Sequence, residues 1–212
     1  GSFYQPKLVI SDIDFLKSLP KREIVCGYAE ILKHSLIKNK YFFNYLDKNI
    51  ENIFKLKSPY IENAIYESCK IKKLIVEKDE KETNIRRTLN FGHTFAHAYE
   101  AALGYSKKLN HGEAVLLGMV SALKFSYKNK FLLSKEYISI INHIKNNLLP
   151  FNLKNYFSQK KLNKILSFMT KDKKNNSNKI NLILLKRISL PLIDKRYKKD
   201  YIKKFLKKEL TN

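Results

Sequence analysis

Arg86-Arg87-Thr88-Leu89-Asn90-Phe91-Gly92-His93-Thr94-Phe95-Ala96-His97-Ala98-Tyr99-Glu100 is the stretch on which the reading of this chain turns. Read as one helix, it sets Arg86, Asn90, His93, His97 and Glu100 on a single face, within about 80° of one another at roughly 100° per residue. Leu89, Phe91, Phe95, Ala98 and Ala101 fall on the other faces, and a helix from about Leu89 to Leu103 would end at Gly104, a left-handed cap. A solvent-facing stripe is usually built from Lys, Glu and Gln. This one combines a guanidinium, an amide, two imidazoles and a carboxylate, groups that coordinate metals and bind anions. A satisfied polar seam between helices would use the same residues equally well.

Working outward, the next signal is Asn110-His111-Gly112-Glu113, which reads as N-cap through N3 with Glu113 placed as in a capping box. The helix that follows, Ala114 to about Tyr127, is apolar on most sides and belongs at the centre of a core. Histidine is rare, five in all, yet His93, His97 and His111 fall close together. Catalytic zinc sites use three protein ligands and an open position, so the three imidazoles are ligand candidates. A carboxylate could supply the third ligand, and Glu30 is the best placed. It lies in the otherwise apolar Gly27-Tyr28-Ala29-Glu30-Ile31-Leu32-Lys33, and Lys33, three residues on, shares its face. A routine helical ion pair is the plainer account of those two. His34 points about 100° away and His143 sits in a polar stretch; both read as structural.

The rest is mostly helical. Pro20 opens a pattern that runs to about Lys38, and Ser58-Pro59 with Glu62 opens another that runs to about Glu77. A charged break at Asp79–Thr83 is flanked by Lys72 and Arg86. Further helices are expected near Ser134–Asn146 and Gln159–Phe168, one short strand at Lys179–Leu185, and a basic surface helix from Lys195 to Lys208. Lys171-Asp172-Lys173-Lys174 precedes the strand; such charge runs are usually solvated.

Composition excludes several classes. The chain has 212 residues, is 44% apolar and carries 13 Phe and 13 Tyr, enough for a packed core. Two cysteines cannot form a disulfide framework, which favours a reducing compartment. The apolar run Ala114–Leu123 is half the length of a bilayer span, and no signal-peptide order opens the sequence. The expectation is a cytoplasmic chain without membrane attachment. A net charge of +23 attracts anions, but abundant Lys, Asn, Ile and Tyr also result from biased nucleotide composition. No RNP motif, zinc finger or basic zipper favours a nucleic-acid partner.

Leu19-Pro20, Gly27-Tyr28-Ala29-Glu30-Ile31-Leu32-Lys33, Lys72, Asp79-Glu80, Leu89-Asn90-Phe91-Gly92-His93-Thr94, His111-Gly112-Glu113-Ala114-Val115 and Asp172-Lys173-Lys174 occur in the order and spacing of one family. From about Phe3 to Leu185 the chain resembles 3-dehydroquinate synthase. The resemblance implies a mainly α, multi-helix C-terminal domain over residues 3–190, with at most one or two short strands. Residues 191–212 lie outside it, as a basic extension expected to be helical. It implies Glu30, His93 and His111 as ligands of Zn2+ or Co2+, and makes His97 and Lys33 catalytic groups at the substrate, although spacing alone would make His97 a ligand too. Lys72, Arg86 and Asn90 would bind substrate, with Lys173 or Lys174 closing on its phosphate. The reaction implied is NAD+-dependent conversion of a small phosphorylated sugar acid, 3-deoxy-D-arabino-heptulosonate 7-phosphate, into 3-dehydroquinate in the shikimate pathway, by a cytoplasmic homodimer.

The family's N-terminal α/β domain, which holds most of the NAD+, has no counterpart here, since no glycine-rich loop follows a strand. The chain therefore reads as a C-terminal part, inactive by itself. Two alternatives make different predictions. Another sugar-phosphate cyclase or a polyol dehydrogenase of the same fold would differ in its substrate contacts. A basic helical module binding an anionic polymer would hold no stoichiometric metal and would bind in a salt-sensitive way.

Overall fold

The computed structural model describes residues 6–171 and 179–211. Its first regular helices are α1 (Lys21–Lys38), α2 (Lys40–Phe54) and α3 (Tyr60–Lys78). They are followed by α4 (His93–Ala102), α5 (His111–Lys128), α6 (Ser134–Asn146) and α7 (Leu162–Lys171). A hairpin of β1 (Lys179–Arg187) and β2 (Leu190–Lys198) leads into α8 (Lys199–Thr211). The mainly α expectation, with at most two short strands, agrees with this architecture.

α5 is the axis. From Gly112 to Leu123 every residue is buried, including Leu116, Met119 and Leu123 at 0% exposure. Residues apolar on all sides leave such a helix no face for water, so other elements must surround it. α1, α4, α6 and β1 pack on it, and α7 closes over α4. Asn110 and Glu113 form the capping box expected from the sequence, fixing where α5 begins.

Sequence reasoning assigned nothing between Lys38 and Ser58, where the structure has α2. Asn39, at φ −147°, ends α1 and caps α2 by accepting from the Phe42 N–H at 3.1 Å. The buried residues Phe42, Phe43, Leu46, Ile50 and Ile53 recur at helical spacing, so the signal was present.

The C-terminal expectation needs correction. Residues 190–198 are a strand, paired antiparallel with β1 through Ile180↔Tyr197, Leu182↔Lys195 and Leu184↔Leu192, and the last helix begins at Lys199 rather than Lys195. Backbone bonds pin the hairpin to the body: Ser189 N–H donates to Leu36 O (2.8 Å) and Leu185 N–H to Ser126 Oγ (3.2 Å). α8 buries Ile202, Phe205, Leu206 and Leu210. Residues 191–198 thus pair with β1 and α8 buries one face in the core, so the stretch is not an appended tail.

Candidate metal and substrate site

Three elements deliver one side chain each to a common point: Glu30 from the middle of α1, His93 as the first residue of α4 and His111 as the first residue of α5. One ligand atom of each lies within 4.8 Å of the others. Donors around a tetrahedral ion with bonds of about 2.1 Å stand roughly 3.4 Å apart, so closure needs side-chain shifts of about 1 Å.

The backbones meet here because glycines remove the side chains between them. A Cβ on Gly112 would lie 2.3 Å from Cys26 Cα, so α5 starts directly against α1. A Cβ on Gly118 would lie 2.3 Å from Gly92 O, so α5 also touches the start of α4. Gly92, at φ +82°, turns the chain into α4, a conformation costly for any other residue. The helix expected from about Leu89 therefore starts at His93: residues Ile85–Asn90 form a 3-10 turn, and only His93, His97 and Glu100 keep one helical face.

Protonation follows from the surroundings. Burial, and then the nearby Lys33 charge, push His93 down to about 4, which leaves it neutral and able to ligate. Its Nδ1 lies 3.3 Å from Phe91 O, and its Nε2 faces Glu30 Oε1 at 3.7 Å. Burial raises the Glu30 carboxyl, but the charge and hydrogen bond of Lys33 outweigh it, and Glu30 is held below the ordinary carboxylate range. Lys33 Nζ donates to Glu30 Oε2 at 2.5 Å and is only 3% exposed; burial lowers its pKa, Glu30 opposes this, and Lys72 adds to the lowering. His111 Nδ1 lies 3.1 and 3.2 Å from the two Glu100 oxygens, and that bond raises the His111 pKa against its partial burial.

The other expected residues take varied places. His97 is exposed and outside the three-residue group, its ring 5.3 Å from that of His93 and stacked on that of His111 at 6.3 Å. Arg86 Nη1 donates to Glu80 O, and Asn90 Nδ2 to Glu82 Oε1 at 2.6 Å, so both are held by the turn after α3. Asp79 builds that turn by accepting from the N–H groups of Thr83, Asn84 and Arg86 at 2.7–2.9 Å. Lys72 is exposed on α3, which packs on the same turn. Lys173 and Lys174 lie outside the described residues. His34 and His143 are buried and partnered, by Ser68 Oγ (2.7 Å) and by Tyr28 and Asp47 (2.8 Å each).

Two supports were not anticipated as such. Arg22 grips both Glu113 oxygens, at 2.7 and 2.6 Å, and Lys107 O, tying the start of α5 to α1. Glu100 was legible as part of the polar stripe, but its partner on the far side of the Leu103–Asn110 loop was not. A cleft of about 380 Å³ opens beside His111, lined in part by Glu23, Cys26, Glu100, Tyr105 and Asn110.

Residues 27–175 match the family described as 3-dehydroquinate synthase C-terminal. The 3-dehydroquinate synthase of Pelagibacter ubique is 60% identical over 211 residues, covering 100% of this chain and 57% of that protein. The enzyme of the same name from Alkaliphilus metalliredigens is 42% identical over 185 residues, 87% of this chain and 50% of its own length. The chain thus spans about half the length of the curated relatives it matches. Among solved structures, 2-deoxy-scyllo-inosose synthase complexed with carbaglucose-6-phosphate, NAD+ and Co2+ superposes with a TM-score of 0.82 at 22% identity, over 97% of this chain and 57% of that one. ValA, the 2-epi-5-epi-valiolone synthase of Streptomyces hygroscopicus with NAD+ and Zn2+, gives 0.80 at 20% identity, over 93% of this chain and 54% of that one. At such identities the structural likeness concerns the fold.

Proposed function

Because the chain belongs to the 3-dehydroquinate synthase C-terminal family, we propose that it supplies the metal site and part of the substrate site of an enzyme that converts 3-deoxy-D-arabino-heptulosonate 7-phosphate into 3-dehydroquinate and phosphate. The observation that carries this reading is the convergence of Glu30, His93 and His111, whose mixed carboxylate and imidazole donors suit Zn2+ or Co2+. A divalent ion bound there would bind vicinal hydroxyls and acidify the alcohol to be oxidised.

The remaining roles belong to side chains. Glu30 and His93 stay ready to ligate because Lys33 keeps the first ionised, and burial keeps the second neutral. Lys33, buried beside Glu30, offers a fixed ammonium to substrate oxygens. His97, exposed next to the His93 and His111 imidazoles, would carry a proton between substrate and solvent. Lys72, Arg86 and Asn90, with Lys173 or Lys174, would balance the carboxylate and phosphate of the substrate. NAD+ would be held mainly by a preceding α/β half, and the intact enzyme would be a cytoplasmic homodimer. The chain alone would then be inactive. Among the described residues no helix is long and apolar enough to cross a membrane.

The test is a chimaera in which the N-terminal half of the Pelagibacter ubique relative precedes this chain. With NAD+, divalent metal and the heptulosonate phosphate it should release phosphate and form 3-dehydroquinate, and His93→Ala should abolish both. A soluble, metal-loaded chimaera that releases none would overturn the assignment.

A further inference from the structure

His111 is the least constrained of the three candidate ligands. Its side chain is 53% exposed, against 13% for His93, so packing alone does not fix its ring. A neutral imidazole carries one N–H, and which nitrogen bears it depends on the hydrogen bond the ring makes. Both Glu100 oxygens lie within 3.2 Å of His111 Nδ1, and an ionised carboxylate only accepts, so Nδ1 carries the proton and Nε2 keeps the lone pair. The Glu100 side chain is 13% exposed and sits two turns after His93 on the same face of α4. An ion pair with one partner this exposed contributes little to stability. Orientation is what remains for it to supply.

We propose that Glu100 is a positioning residue of the metal centre: it fixes the tautomer and ring rotation of His111 so that Nε2 faces Glu30 and His93. α4 thereby supplies one ligand directly and aims another that stands on α5. Phe91 O does the equivalent for His93 through Nδ1. The inference rests on the metal reading above, and its test separates the two.

Zinc affinity of the 212-residue chain is measured by chelator competition, alongside the visible spectrum of the Co2+ form. The set is wild type, Glu100→Ala, Glu100→Gln, His93→Ala and His111→Ala, with thermal melting of each metal-free chain as a fold control. Glu100→Ala should weaken binding about 10–100-fold and change the Co2+ spectrum, as loss of a ligand's outer partner typically does, with the metal-free melting unchanged. Glu100→Gln should recover most of the loss, because its amide oxygen still accepts from Nδ1–H. Wild-type affinity in Glu100→Ala, with binding lost in His111→Ala, would overturn this inference and leave the metal site standing. A loss in Glu100→Gln as large as in Glu100→Ala would also overturn it, pointing to charge and not orientation. No zinc binding by wild type, or unchanged binding in both histidine variants, would overturn the metal site and the inference with it.

Discussion

Gly112 carries no catalytic group, yet it sets how far His111 stands from Glu30. The atoms a Cβ would meet are the Cα and carbonyl oxygen of Cys26, at 2.3 and 2.4 Å, and backbone inside a helix cannot swing aside. Gly112→Ala should therefore shift the start of α5 off α1, costing about 1–3 kcal/mol as an overpacked contact and weakening zinc binding as well. Urea unfolding would read the first effect and chelator competition the second; an unchanged midpoint would contradict the account. At this scale much was legible beforehand. Residue type and spacing made Glu30, His93, His97 and His111 ligand candidates alike, and the set of Glu30, His93 and His111 came from the family resemblance. His97 was not separable from a ligand by spacing, because one helical turn brings it beside His93, yet it lies outside the group of three.

For single elements, the informative case is the start of α4, expected near Leu89 and found at His93 after a 3-10 turn. Asp79 accepts from the amides of Thr83, Asn84 and Arg86 as well as from the Thr83 hydroxyl, so these donors serve a carboxylate instead of a helical ladder. Burial opposes ionisation, but the bonds from Arg86, Asn84 and Thr83 prevail and lower the Asp79 pKa from 3.8 to about 2. A carboxyl lowered on folding stabilises the fold above its unfolded pKa, and that support fades as pH falls through the folded value. Between about pH 4 and 2 the wild type should lose stability more steeply than Asp79→Ala, which has no such support to lose. At neutral pH the Thr83, Asn84 and Arg86 amides should exchange faster in the variant, as followed by NMR. Periodicity could not reveal the break, since the apolar spacing continues across Phe91 and Gly92, and the left-handed turn shows only in the backbone. α5 was fully legible, because its cap and its all-round apolar surface are local properties.

For the molecule as a whole, the boundary drawn near residue 190 was the weakest reading. β2 begins Leu190-Pro191 and continues through Asp194, Lys195 and Arg196, a composition that resembles a solvated tail. What makes it a strand is β1 beside it, a pairing no window on either segment contains. A chain ending at Leu190 would lose that pairing together with Ile202, Phe205, Leu206 and Leu210. Each such buried side chain is worth about 2–5 kcal/mol, so the four together are comparable to the roughly 5–15 kcal/mol that holds a domain folded. The truncated chain should show no cooperative thermal transition by circular dichroism; a melt like that of the full chain would return residues 191–211 to the status of an appendage. One property of the assembly reaches further. The spacing of α1, α4 and α5 at the ligand cluster is set by main chain resting on main chain, at Gly112 against Cys26 and at Gly118 against Gly92. Such a joint is indifferent to which side chains fill the surrounding volume, so genomic drift toward lysine, asparagine and isoleucine can remodel the periphery without moving the three donors.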